Sequence, residues 1–521
     1  MQKQSKLRKV PTAAVIDIGS NELRLHIAQL QIDPESGQEG VKYLESLHYP
    51  LSLGRDTFHA GKMRFDKVDK ACEVIKNFLF AAKGYGVRNV RTVANTAARE
   101  ATNIDYILDQ IKIKTGVTVE VMDDYEEKRH IYKLLMHYAD DSLKQSALMV
   151  YIGTGNIGVC LLENGRMPRT WNIPVGSLRM EEMFGERQAY TRSFHRLLEE
   201  YLAGFNQQVA SEIPEGVSHF IVSGQEIDLI ARLTGVDVTN TPLFALPREH
   251  LMELFENIKR KTPERIAAEY NLPIDQADEL LPVACIYQNL LSLTRAQTLT
   301  ASRMLPCDGV LFDMLHPLRF PAMEKRMVRS TELSVRRLAE RFHSDIAHGK
   351  HVRDFALAIF DKLKRLHGLG TRDRLLLASA AMLHELGEYV NNHDHHLHSY
   401  NIVRGSDIVG LNAAEVEIVA LICRYHSHLA PGEGDPHYHT LTREEKVRVS
   451  KLVALLKLAD ALDRGYAQKF AKVDTKLSEG VLTITVNTQA DTELEQWAFD
   501  EKGQFFEEVF GLKAQLRVRK I

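Results

Sequence analysis

Apolar and polar positions alternate in strand fashion along 13–30, AAVIDIGSNELRLHIAQL, as at Val15, Leu23, Leu25 and Ile27. A period of two broken by Gly-Ser-Asn predicts two strands joined by a tight turn. The stretch 148–165, LMVYIGTGNIGVCLLENG, has the same outline. Aligned on Ile-Gly, the two set Asp17 opposite Tyr151, Gly19 opposite Gly153 and Ser20 opposite Thr154. Between them Val68, Ala71, Val74, Ile75 and Phe78 fall at helical spacing, predicting a helix over 67–83. VRNVRTVANTAARE then reads as strand, loop and helix start, VTVEVM (117–122) as a short strand, and DDYEEKRHIYKLLMHYA as a helix. Strand-then-helix repetition is the pattern of an α/β lobe.

Residues 147–305 repeat the plan with two strands, a helix from about 188, the strand HFIVSG (219–224) and long helices to about 298. From about 325 strand signals stop, and helix-periodic segments rich in histidine run to about 470. The last fifty residues return to period two in VLTITVN (481–487) and AQLRVRKI (514–521). Four domains are therefore expected: two α/β lobes, 1–135 and 136–320, a helical domain 321–470, and a small α+β domain 471–521.

Composition narrows the partners. A chain of 521 residues exceeds one core, and 44% hydrophobic with 26% charged residues is ordinary soluble material. The net charge of −3 gives no global basic field, so nucleic acid is not an expected partner and any polyanion site must be local. Five cysteines lie scattered without a CxxC pair, which fits a reducing compartment. No apolar run approaches membrane-spanning length, and the basic start lacks a signal-peptide core; a cytoplasmic protein with no membrane partner is expected.

Glycines in a strand-to-strand turn suit phosphate oxygens, hydroxyls such as Ser20 and Thr154 add donors, and Asp17 is placed to hold a metal ion or its waters. With these loops, the ordered motifs VIDIGSNELRL, VANTAAREATN, YEEKRHI, IPVGSLRMEEMF and IVSGQEI resemble the exopolyphosphatase/guanosine pentaphosphate phosphohydrolase family over roughly 13–310. That resemblance implies an actin-like (ribonuclease H-like), two-lobed ATPase superfold. It implies release of terminal orthophosphate from inorganic polyphosphate or guanosine pentaphosphate, with Mg²⁺ as cofactor. By position, Glu127 would position or activate the attacking water, Asp17 would hold Mg²⁺ and Arg99 would face phosphate. The cradle would be Gly19, Ser20, Asn21, Gly153, Thr154, Gly155, Asn156, Ser223 and Gly224. On the residues alone, Glu127 reads as an acid at a helix start, where the positive helix end favours it. The chain departs from the family pattern at Tyr151, where relatives usually carry aspartate, at Glu22 in place of serine, and at VLFD (310–313) in place of LREG.

In 348–465 the order His351, His384-Glu385, His398, His426, Asp460 resembles the HD phosphohydrolase fold. That fold brings histidines and acids from separate helices to a divalent metal, because neutral imidazoles and hard carboxylates together hold an ion that activates water. The resemblance implies a divalent transition metal on His351, His384, Glu385 and Asp460, with Glu385 standing where aspartate is usual. It also leaves two competing expectations: an HD-centred metal phosphohydrolase, or a degenerate sensor binding polyphosphate or an alarmone nucleotide. A homodimer is expected.

Overall fold

Strand β1 (Thr12–Ile18) buries six of its seven residues, so the alternation expected there gives way to burial on both faces. Its place in the sheet explains this. β1 pairs antiparallel with β2 (Glu22–Ile32) and parallel with β4 (Val90–Ala94). With β3 (Glu39–Pro50) and β5 (Val119–Val121) the order is β3-β2-β1-β4-β5. The computed structural model describes residues 11–32, 39–188, 194–238, 242–316, 321–432, 434–478 and 480–520, which fall into two compact units, Met1–Arg326 and Met327–Ile521.

The first unit contains a second sheet built to the same plan. β6 (Ser146–Ile152) pairs antiparallel with β7 (Ile157–Glu163) and parallel with β9 (His219–Gly224), and β7 pairs antiparallel with β8 (Arg166–Ile173). Beyond β9 lies β11 (Thr298–Ser302), parallel to it, and then β10 (Leu243–Pro247), antiparallel at the edge. Two copies of one strand order match the actin-like, two-lobed expectation. The expected helix at 67–83 is Phe65–Gly84. A helix start near 188 is displaced: helices run over Ser177–Gln188 and Phe194–Ala210. The lobe boundary expected at 135 falls inside the helix Asp124–Tyr138.

Register places the chemistry. In the first hairpin Asp17 lies opposite Arg24; in the second Tyr151 lies opposite Gly158. Each turn closes identically, the Gly19 amide donating to Glu22 O (3.0 Å) and the Gly153 amide to Asn156 O (2.8 Å). A Cβ at Gly19 would sit 2.6 Å from Glu22 O, so the turn requires glycine for closeness.

The second unit is helical from Ile346–Lys362 through Thr371–Leu383, His395–Arg404, Ala413–Tyr425 and Arg443–Ala461. Its sheet follows, β12 (Val473–Ser478) antiparallel to β13 (Val481–Asn487) and β13 parallel to β14 (Lys513–Arg519). The helix Glu493–Phe510 makes the crossover that a parallel pair needs. Residues 471–521 do not form a domain of their own. Leu482, Ile484, Val486, Phe499 and Phe506 belong to one core with Leu376, Leu455 and Leu458 of the helices. Among the described residues no helix is long and apolar enough to cross a membrane.

This shared core predicts that Phe499→Ala, which empties a fully buried ring site, destabilises the helices as well as the sheet by about 3–5 kcal/mol. Hydrogen exchange of amides in Thr371–Leu383 and Arg443–Ala461 checks it. Unchanged protection there would show that the last fifty residues fold separately.

Candidate functional site

The two glycine turns meet across one cleft of the first unit. Thr154 Oγ1 donates to Ser20 Oγ at 2.8 Å, so the equivalent hydroxyls of the two lobes touch. The cavity there is lined by Asp17, Gly19, Ser20, Arg24, Asn95, Thr96, Glu127, Tyr151, Ile152, Gly153, Thr154, Gln225, Glu226, Leu305 and Pro306. Asp17 is buried, and its Oδ2 accepts from Arg24 Nη1 at 3.1 Å. Its Oδ1 is buried with no hydrogen-bond partner. Burial raises the Asp17 pKa, while the Arg24 charge opposes the rise.

Glu127 sits in the first turn of the helix Asp124–Tyr138, started by a capping box in which Asp123 accepts from the Glu126 amide and Glu126 from the Asp123 amide. Its Oε1 accepts from Arg99 Nη1 at 2.8 Å, and Arg99 also donates to Met122 O (2.6 Å) and to Asp124. Asp124 accepts in turn from Asn156 and Asn172 at 2.8 Å each. Burial pushes the Glu127 carboxyl up to about 7, with Arg99 pulling the other way. A buried carboxyl that titrates near neutrality, beside a cavity, has the proton affinity of a general base.

Several expected residues have other duties. Arg99 does not line the cavity; its guanidinium is spent on Glu127 and Asp124, and the arginine in the cleft is Arg24. Asn21 donates to Glu279 Oε1 (2.9 Å) and lines a neighbouring cavity with Glu22, Arg55 and Arg232. Gly155 packs on Thr96, leaving no room for a Cβ. Asn156 serves Asp124. Ser223 is fully buried and donates to Met304 O (2.6 Å), and Gly224 lies against Ile152 O. The IVSGQEI motif therefore serves the cleft through Gln225 and Glu226, one step beyond the residues expected. Ser177 donates to Glu226 Oε1 at 2.8 Å. Glu22 is held by Arg24 (Nη2–Oε1 2.7 Å), so its charge is neutralised beside the turn. Tyr151 lines the cleft, and burial drives its phenol pKa well above the ordinary value, so this position supplies a neutral group.

In the second unit, ligand atoms of His348, His384, Glu385 and Asp460, all buried, lie within 4.8 Å of one another. The expected His351 is not among them. It stands one helical turn along, half-buried and edge-on to Phe355, and His348 stands in the group instead. His398 is likewise outside this group. Asp460 is also paired with Lys502 of the helix Glu493–Phe510. Two imidazole nitrogens and two carboxylates are a donor set suited to a first-row divalent ion.

The chain matches the Ppx/GppA phosphatase family over residues 33–318 and domain III of Ppx/GppA phosphatases over 328–502. It is 24% identical over 489 residues to a guanosine-5′-triphosphate,3′-diphosphate pyrophosphatase of Vibrio vulnificus, covering 92% of each chain. The like-named protein of Vibrio campbellii is 22% identical over 454 residues, 85% of this chain and 86% of that one. Among solved structures, an exopolyphosphatase from Cytophaga hutchinsonii superposes with a TM-score of 0.52 at 18% identity, covering 59% of this chain and 99% of that one. A Ppx/GppA family member of Aquifex aeolicus gives 0.51 at 21% identity, covering 60% and all of that chain.

The Glu127–Arg99 pair predicts a directional shift. Arg99→Leu removes the charge that favours the ionised carboxylate, so the Glu127 carboxyl should titrate higher than about 7. The protonated carboxyl band in infrared difference spectra, assigned by its loss in Glu127→Gln, should persist to higher pH in the Leu variant. A band that titrates as in the unaltered protein would mean that Arg99 does not set this proton affinity.

Proposed function

The chain belongs to the Ppx/GppA phosphatase family, and on that premise we propose that it hydrolyses phosphoanhydrides, releasing terminal orthophosphate from guanosine pentaphosphate or inorganic polyphosphate in the cleft between the lobes. The observation that carries this reading is Glu127, a buried carboxyl tuned to about 7 at the wall of a cavity that also presents Arg24. The pyrophosphatase names of the Vibrio relatives support guanosine pentaphosphate; the Cytophaga structure supports polyphosphate.

In this reading Arg99 occupies Glu127 Oε1 and leaves Oε2 to accept a proton from water. Arg24, itself fixed by Asp17 and Glu22, holds a guanidinium at the cavity wall as a hydrogen-bond donor toward phosphate. The Gly19 and Gly153 amides close their own turns, so donors to phosphate come from the residues that follow, Ser20 by hydroxyl and amide and Thr154 by amide, its hydroxyl hydrogen being given to Ser20. Water oxygen adds to the terminal phosphorus, the bridging P–O bond breaks, and the shortened chain leaves as the anion.

Mg²⁺ fits the donors only in part. Asp17 Oδ1, buried and unpartnered, is a free carboxylate oxygen, while Oδ2 faces Arg24 and Tyr151 offers no charge. Such a site suits an ion that arrives on the phosphate chain and keeps most of its waters. When bound, the ion neutralises phosphate charge; Asp17 would hold it.

Two outcomes test the reading. Glu127 must be ionised to act as base, so kcat should rise with pH through about 7 and level off above. Glu127→Gln should lower kcat by about 10²–10⁴ and abolish that limb with little change in KM. A limb that survives in the Gln variant would place the base elsewhere. Separately, Tyr151→Asp adds a carboxylate where the second hairpin has a phenol. Phosphate release should then saturate at lower Mg²⁺ and run faster than in the unaltered protein; equal Mg²⁺ dependence of the two would show that this position does not govern the ion.

A further inference from the structure

The cavity beside the cleft has a charge balance unlike that of a phosphate site. Its volume is about 260 Å³, and it shares Gln225 and Glu226 with the cleft. Five carboxyl groups line it, those of Glu22, Glu226, Asp228, Asp275 and Glu279, against the guanidiniums of Arg55 and Arg232. Both guanidiniums are already engaged, Arg55 with Glu181 (3.6 Å) and Arg232 with Asp228 (3.5 Å). Glu22 is held by Arg24. Among the described residues no ion pair reaches Glu226, Asp275 or Glu279.

Two of these acids form the floor. Glu226 and Glu279 are each 7% exposed. Glu226 stands just before the helix Ile227–Leu233; its Oε1 accepts from Ser177 Oγ at 2.8 Å, and its Oε2 is buried with no hydrogen-bond partner. Glu279 Oε1 accepts from Asn21 Nδ2 at 2.9 Å. Both donors are neutral, so nothing in the protein answers two negative charges here. Carboxylates side by side and out of water do not both stay ionised. Burial, and then the Glu226 carboxyl beside it, raise the Glu279 pKa well above the ordinary value, so a proton stands where a cation is lacking.

The third unpaired acid, Asp275, is exposed and lies four residues before Glu279 on the helix Ile274–Leu291. Residues at that spacing share a helix face about 5–6 Å apart, a distance that four methylenes set between two ammonium groups. Pro50 and Leu229 give the cavity apolar wall for such methylenes. A bare divalent ion suits it less, because among the described residues no three metal-ligating side chains of this cavity converge. We propose that the cavity binds an organic dication of the diamine or polyamine class, one ammonium on Glu226 and Glu279 and the other at Asp275. The entering ammonium donates hydrogen bonds to both carboxylates, and the proton they held leaves to solvent. An organic counter-cation is thereby placed one side chain, Glu226, away from the phosphate cleft. The site does not rest on hydrolysis in that cleft.

Calorimetric titration of the full chain with 1,4-diaminobutane, at neutral pH in buffers of different ionisation heat, tests the site. Binding should release about one proton per diamine. Glu279→Gln should weaken it about a hundredfold, as for loss of a buried charge partner. Asp275→Asn, at the exposed rim where the fold is not at risk, should weaken it about threefold. Glu253→Gln, exposed on the helix Arg248–Ile258, should bind as the unaltered chain does. Butylamine, with a single ammonium, should bind the unaltered chain as weakly as the diamine binds Asp275→Asn, and K⁺ or Mg²⁺ at equal concentration should not displace the diamine. Displacement by either ion would make this a metal site. No saturable diamine binding, or binding that survives Glu279→Gln undiminished, overturns the organic-cation site.

Discussion

Carboxylates taken out of water need positive partners, and the sites in both units are arranged around that requirement. Asp17 is answered by Arg24, Glu127 by Arg99, Asp308 by His26 and Asp460 by Lys502. Removing one member of such a pair leaves an uncompensated buried charge, typically costing about 3–5 kcal/mol. The partners therefore constrain one another's positions, and the strands and helix ends that carry them are held in register. Arg24 reaches Asp17 because antiparallel pairing sets the two residues opposite each other, not because they are close in sequence.

The duplicated lobes make the requirement visible by contrast. Both hairpins close with the same glycine-to-third-residue hydrogen bond and pair position i with i+7. One copy carries an ion pair on those positions, the other a tyrosine and a glycine over which the Lys128 stem packs. Backbone geometry has been kept while electrical content has not. Lobe I contributes the ion pairs Asp17–Arg24 and Glu127–Arg99, and lobe II contributes the Glu226 carboxyl with neutral donors.

Much of this was legible in the sequence. The two hairpins, the helix over 67–83 and the histidine-rich region could be read from periodicity, and the ordered motifs led to the family. The losses have physical causes. β3 and β10 are edge strands that carry weak signals, β3 because half its residues are polar and β10 because it is only five residues long and ends in proline. Arg24 escaped notice because only strand register brings it to Asp17. His348 and His351 lie three residues apart in HGKH, and only burial separates the clustered histidine from its neighbour. The helix Glu493–Phe510 is marked by apolar residues at long helical intervals, Ala498, Phe499 and Phe506, among six acids, which hid its buried face.

Lys502 lies 42 residues after the Asp460 that it neutralises. At about 5–20 residues per second, synthesis separates the two by a few seconds. During that interval the residues bearing the histidines and Asp460 have been made, while the lysine that compensates Asp460 has not. The order of translation thus makes the histidine–carboxylate cluster one of the last parts of the second unit to mature. For those seconds Asp460 remains open to water, to a proton or to a passing cation.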